Sequence, residues 1–216
     1  MIDIHTHILP NVDDGCKSLE EARECLLMCK KNGVDSVILT PHYSIRDKKE
    51  KLINAFEEFK KQVSDIDINI YFGAEMMYSR GFLKALREKK AITLNDSEYL
   101  LIEFELFDAG YDIRSSLYDI KCLGYKIILA HPERYSYISI KELEQLKRDG
   151  VLFQVNTTSL NGSHGTAIKN RALQLHKLKM IDFISSDCHS PNGLRSPNLD
   201  ESYLKYVNNV KKIVFK

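Results

Sequence analysis

Across its 216 residues the chain has no C-x-x-C pair, and its five cysteines form an odd set without the spacing of a disulfide framework or a cysteine-type zinc site. A reducing compartment suits them best, and Cys25 and Cys29, four residues apart, read as small buried hydrophobes on one helical face. Net charge is scarce too. The 31 basic and 30 acidic residues leave +1, so no global field draws nucleic acid or anionic lipid. No apolar run reaches the roughly 18 residues of a membrane-spanning helix. The amino terminus reads as a strand carrying polar ligand types, where a signal peptide would need a basic start and an apolar core. These absences predict a cytoplasmic protein with no stable membrane insertion and no nucleic-acid partner. No linker, repeat or low-complexity stretch divides the sequence, and residues 1–216 are expected to form one domain with a sizeable core.

Seven short β-like runs are present: Ile2 to His5, Ser36 to Thr40, Ile68 to Phe72, Tyr99 to Phe104, Lys126 to Ala130, Val151 to Val155 and Ile181 to Ser186. Amphipathic segments of helical period separate them. The clearest begins at Ser18-Leu-Glu-Glu21, read as a capping box, continues with Ala22, Cys25, Leu26 and Cys29 on one face, and stops at Gly33. Mixed-sign stretches such as Asp47 to Lys51 and Lys84 to Lys90 read as solvated outer faces of helices. Alternating strands and helices imply parallel strands with right-handed crossovers, in a barrel or in a doubly wound open sheet. The polar residues favour the barrel, whose strand ends all converge on one mouth.

The chain opens on Met1-Ile-Asp-Ile-His5-Thr-His7, where strand alternation puts two imidazoles on one face. Asp14, His42, Glu75, Glu103, His131, Asp187 and His189 each lie at or just beyond the end of an apolar run. Together these positions offer five imidazoles and four carboxylates, a nitrogen and oxygen set that suits Mn, Fe, Co or Zn in a catalytic site. Three divalent ions would bring about +6, which four carboxylates reduce to about +2, a charge that attracts a phosphate dianion. Glu105 shares a strand face with Glu103, and periodicity does not choose between them. His164 and His176 fall outside the pattern and read as ordinary loop and helix residues.

His5-Thr-His7, Asp13-Asp14-Gly15, Thr40-Pro41-His42, Gly73-Ala74-Glu75, Leu101-Ile102-Glu103-Phe104, His131-Pro132-Glu133-Arg134 and Ser186-Asp187-Cys188-His189 resemble, in order, the motifs of the polymerase-and-histidinol-phosphatase (PHP) superfamily. More narrowly they resemble the manganese-dependent protein-tyrosine phosphatases of bacterial capsule and exopolysaccharide systems. The resemblance implies an α/β fold, a distorted TIM-like (β/α)7 PHP barrel with outer helices, and a centre of three divalent ions, Mn2+ first among the candidates. It implies His5, His7, Glu75 and Asp187 around one ion. Glu75 would bridge to a second near Glu103 and His131, and Asp14, His42 and His189 would hold a third. It also selects Glu103 over Glu105, places Arg134 and Arg195 on the substrate phosphate, and suggests the tyrosine-rich tail of a bacterial tyrosine kinase as partner.

The chemistry expected is hydrolysis of a phosphotyrosine monoester by a metal-bound hydroxide, the arginine forks matching phosphate oxygens. The nearest alternative is a PHP phosphoesterase acting on a small alkyl phosphate such as histidinol phosphate, or on nucleic acid. A metal-stabilised scaffold without turnover is a further one, and nine ligands are more than such a site needs. Thiolate chemistry would require a C-x5-R loop, and the nearest approach, Cys188 to Arg195, has six intervening residues. Tyr43, Tyr78 and Tyr135 are expected near the mouth. A closing helix is expected near Leu199 to Val210, and oligomeric state is left open.

Overall fold

The computed structural model describes residues 1–108 and 110–194; Arg195 and the helix expected near Leu199 to Val210 lie outside them. The strands are β1 (Ile2–Thr6), β2 (Ser36–Leu39), β3 (His42–Tyr43), β4 (Asn69–Phe72), β5 (Glu75–Met77), β6 (Tyr99–Glu103), β7 (Lys126–Ala130), β8 (Leu152–Asn156) and β9 (Phe183–Ser185). The α-helices are α1 (Leu19–Lys31), α2 (Lys49–Gln62), α3 (Phe82–Arg87), α4 (Ile113–Cys122), α5 (Ile140–Arg148), α6 (Thr157–Asn161) and α7 (Thr166–Lys177). Every described strand pair is parallel, in the orders β1-β2-β4 and β3-β5-β6-β7-β8-β9. No described helix is long and apolar enough to cross a membrane.

Two expected strands are each broken in two. Pro41 has no N–H to donate, and it separates β2 from β3. Gly73 separates β4 from β5, where an added Cβ would come within 2.8 Å of the Leu94 side chain. Each pair continues one stave, so the nine strands make the seven staves of a distorted barrel. The hydrogen-bond ladder is split into two sheets, yet Asp187 N donates to His5 O at 2.9 Å and His7 N to Cys188 O at 2.8 Å, tying the last stave to the first.

Alternation sorts the core. Val37 and Leu39 pack with Ala22, Cys25 and Leu26 of α1 and Phe56 and Phe59 of α2. Leu100, Ile102, Ile127 and Leu129 pack with residues of α4, α5 and α7. The intervening Ile38, Leu101 and Ile128 join Ile2, Ile4 and Leu94 in a separate inner cluster. Ser18 caps α1 through Glu21 N, but the Glu21 carboxylate turns to Lys17 N, so only half of the expected box forms. The reciprocal box is at Ser139 and Glu142, on α5.

Candidate metal centre

The register of β1 on β2 passes from Asp3↔Val37 to Thr6↔Leu39, which leaves one extra residue in β1. Such a bulge switches the phase of alternation. Ile2 and Ile4 therefore point into the inner cluster while His5 also reaches the interior, its Nδ1 2.8 Å from Gln154 Oε1 on β8. Strand β3 brings His42 level with Glu75 of β5. Glu103 ends β6, and His131 and Asp187 follow β7 and β9 with φ of +32° and +52°. Two non-glycine residues in the left-handed region at one mouth carry backbone strain of the kind that collects at functional sites.

All nine expected ligand residues come together at this end. Glu75 Oε1 lies 3.3 Å from His5 Nε2 and 3.1 Å from His131 Nε2, and its Oε2 lies 3.4 Å from His7 Nε2 and 2.9 Å from His42 Nδ1. Asp187 Oδ1 is 3.4 Å from the Nε2 atoms of His5 and His7. Asp14 Oδ1 is 3.4 Å from the Nε2 atoms of His42 and His189. Eight of the nine fall into three overlapping groups: His5, His7 and Asp187; His42, Glu75 and Glu103; and His7, Asp14, His42 and His189; His131 joins through Nε2, 3.1 Å from Glu75 Oε1 and 3.4 Å from Glu103 Oε1. The sharing of His7 and His42 between groups joins the centre more tightly than the partition expected from the resemblance.

The arrangement fits cations. His42 Nδ1, Glu75 Oε2 and Glu103 Oε2 are buried, face one another, and have no hydrogen-bond partner among the described residues. Three buried nitrogen and oxygen donors converging in this way are satisfied by a shared cation, which would displace the protons they otherwise share. Glu105 is exposed and away from the cluster, as the resemblance requires.

Side chains that sequence reasoning did not single out hold the donors in place. Asp13 accepts from His7 Nδ1 at 2.8 Å, Gly15 N at 2.9 Å and His42 N at 2.9 Å, leaving His7 Nε2 for the centre. Gln154 Nε2 donates to Asn156 Oδ1, and Asn156 Nδ2 donates to Asp187 Oδ2 at 2.6 Å. Asp3, a buried residue of β1, accepts from Ser186 N. The available signal was Gln154-Val-Asn156, two polar residues at period two in an apolar strand. Gly15 is required sterically, since a Cβ there would lie 2.0 Å from His7 O. Gly15→Ala is therefore expected to shift the His7–Asp13 pair and lower metal affinity about 10- to 100-fold, the range for loss of an outer-sphere partner, as read by metal titration.

Burial works against the charged form of His131, but Glu103 and Glu75 outweigh it and push the imidazole up to about 10. Burial likewise opposes the charge of Glu75, whose carboxyl His5, His131 and His42 nevertheless hold well below its ordinary range. The metal-free centre thus retains imidazolium protons at neutral pH, and a cation must displace them. Metal uptake in weakly buffered solution should acidify it, with release shrinking as the starting pH approaches 10 and affinity rising over the same interval. Release that stayed constant across that range would contradict the assignment.

Around the donors is a cavity of about 390 Å³, lined also by Arg134, Thr158 and His164. Arg134 Nη1 is 3.5 Å from Asp187 Oδ2, whereas the neighbouring Glu133 is buried and accepts from Asn156 N. The guanidinium is thus at the mouth and not paired with Glu133. Tyr43 and Tyr135 are buried in the core, and Tyr78 packs on Phe82, Phe104 and Tyr111; none lines the cavity. Cys188 also turns away. Its Sγ contacts Ser190 O at 3.2 Å and Cys25 Sγ at 3.8 Å.

Residues 1–213 match the family model described as capsular polysaccharide synthesis, CpsB/CapC. The chain belongs to the CpsB/CapC family. CapC of Staphylococcus aureus is 34% identical over 197 residues, covering 88% of this chain and 77% of that protein. The tyrosine-protein phosphatase CpsB of Streptococcus pneumoniae is 33% identical over 216 residues, covering 94% and 88%. Among solved structures, the metal-dependent tyrosine phosphatases YwqE of Bacillus subtilis and CpsB of Streptococcus pneumoniae provide a match with TM-score 0.84 and 28% identity, over 98% of this chain and 87% of that one. The distorted α/β barrel expected from the sequence is the fold of this family.

Proposed function

We propose that this chain is a metal-dependent protein-tyrosine phosphatase of the capsular polysaccharide system, residues 1–216 acting as one PHP-type metallophosphatase domain. The observation that carries the reading is the joined set of nitrogen and oxygen donors at the barrel mouth with a guanidinium at its rim. In this reading His5, His7, Asp14, His42, Glu75, Glu103, His131, Asp187 and His189 hold three divalent ions, Mn2+ ahead of Fe, Co or Zn. Bound ions supply Lewis acidity, lowering the pKa of water and offsetting charge on the attacking and leaving oxygens. Arg134 presents its planar fork to the non-bridging phosphoryl oxygens, and the family resemblance assigns Arg195, outside the described residues, to the same group. The chain acts in the cytoplasm on a phosphotyrosine protein, the tyrosine-rich tail of a bacterial tyrosine kinase, and this dephosphorylation regulates that kinase.

Rates on a phosphotyrosine peptide, histidinol phosphate and single-stranded DNA test the substrate class. The peptide should be turned over fastest. Faster hydrolysis of either other substrate would replace this reading with the corresponding PHP activity.

Thiol chemistry has no support in the geometry. Contact with Cys25 lowers the pKa of Cys188, but burial and the surrounding thiols and Asp3 prevail and push the thiol up, away from the reactive thiolate. Cys188→Ser should keep most activity, and alkylation should inhibit weakly in a phosphopeptide assay. A trapped phosphocysteine together with an inactive, fully metallated Cys188→Ser would overturn the metal mechanism.

A further inference from the structure

A phosphotyrosine carried on a protein enters from solvent, so its phosphoryl group meets the buried donors while its phenolic oxygen points back toward the rim. Of the cavity-lining described residues outside the nine donors, Leu106, Arg134, Thr158, Ser190, Gly193 and His164, only His164 releases a proton near neutral pH. It lies in the turn between α6 and α7, one short helix beyond the end of β8, and lines the cavity with the donors. The turn is well defined. Gly162 and Gly165 have φ of +95° and +92°, Gly165 N donates to Gly162 O at 2.9 Å, and Ser163 N donates to Thr158 O at 2.9 Å. Within it the His164 ring is fixed by a 2.9 Å hydrogen bond between Nε2 and Thr158 Oγ1. The sequence pattern left this histidine among ordinary loop residues; the fold brings it to the cavity.

We propose that His164, held by Thr158 at the rim, is the general acid that protonates the phenolic oxygen as the phosphate ester breaks. The proposal rests on the phosphatase reading and adds a residue to it. Water adds to phosphorus while the bond from phosphorus to the phenolic oxygen breaks. The electron pair of that bond goes to the phenolic oxygen, which takes the His164 proton and leaves as neutral tyrosine. The proton shed by the added water passes to solvent, and the imidazole is reprotonated from solvent. Partial burial, then the charge of Arg134, hold the imidazole below its ordinary value. A phosphate dianion clamped by Arg134 neutralises that charge and favours the proton on His164 when substrate is bound.

The test is a comparison of leaving groups in the Mn2+-loaded full chain. Tyrosine leaves with a phenol pKa of about 10 and gains from protonation. The far more acidic nitrophenol of p-nitrophenyl phosphate leaves without it. His164→Ala should lower kcat on a phosphotyrosine peptide about 10²-fold, at the low end for general acid catalysis, and leave kcat on p-nitrophenyl phosphate unchanged. His164→Gln, which retains a polar side chain but no transferable proton, should show the same split, with metal content of both variants equal to wild type. Equal losses on the two esters, or no loss on the peptide, would overturn the assignment. A metal-loaded wild-type chain inert toward both esters would overturn the phosphatase reading itself.

Discussion

His131→Ala is expected to lose turnover and metal together. His131 Nε2 lies 3.1 Å from Glu75 Oε1 and 3.4 Å from Glu103 Oε1, at the point where two buried carboxylates meet. Loss of an outer-sphere partner lowers metal affinity about 10- to 100-fold, and loss of a donor itself should exceed that range. The metal-free variant suffers as well, because removing one member of a buried charged set costs about 3–5 kcal/mol when the other members remain. Thermal melting with and without Mn2+ would show this as a lowered midpoint and a diminished metal-dependent shift. The left-handed backbone at this position, φ +32°, penalises alanine further. His131→Asn, better tolerated at such a φ, separates the backbone effect from the lost donor, and it should also lose metal. Full metal content and full rate in both variants would contradict the ligand assignment.

Arg134→Ala is expected to lower kcat/KM on phosphotyrosine peptides while leaving metal content near normal. The guanidinium sits at the rim, 3.5 Å from the nearest Asp187 oxygen. Loss of one preorganised charged donor to the transferring group costs about 2–4 kcal/mol of transition-state stabilisation, or about 30- to 10³-fold in rate. Arg134→Lys should recover only part of the loss, since a point charge does not reproduce the planar fork. The check is steady-state kinetics beside elemental analysis of the same samples. Metal loss equal to the activity loss would instead make Arg134 a positioning residue that acts through Asp187.

The legible part of this protein was its donor chemistry. Histidines and carboxylates stood at the ends of apolar runs, and parallel strands that share one mouth gather such residues without further information. Less legible was whatever depended on local backbone departures. The phase of β1 is reversed by a bulge that period-two counting does not contain, so His5 reaches the centre by a route alternation alone misses. Two staves break at Pro41 and Gly73, and the fragments place His42 and Glu75 side by side. Asp13 stood beside an expected ligand, but its bonds to His7, Gly15 and His42 depend on a close loop. Tyr43 and Tyr135 pack in the core, Tyr135 behind His131, and an aromatic next to a functional motif has the same local sequence whether it faces the mouth or the core.

Stepwise restoration of metal to chelated protein tests the central claim most directly, with bound metal and phosphotyrosine-peptide turnover measured on the same samples. Chelation should abolish turnover while circular dichroism shows the fold retained, and added Mn2+ should restore activity as the donor groups fill, to about three ions per chain for three divalent sites. Full turnover by folded, metal-free protein would contradict it.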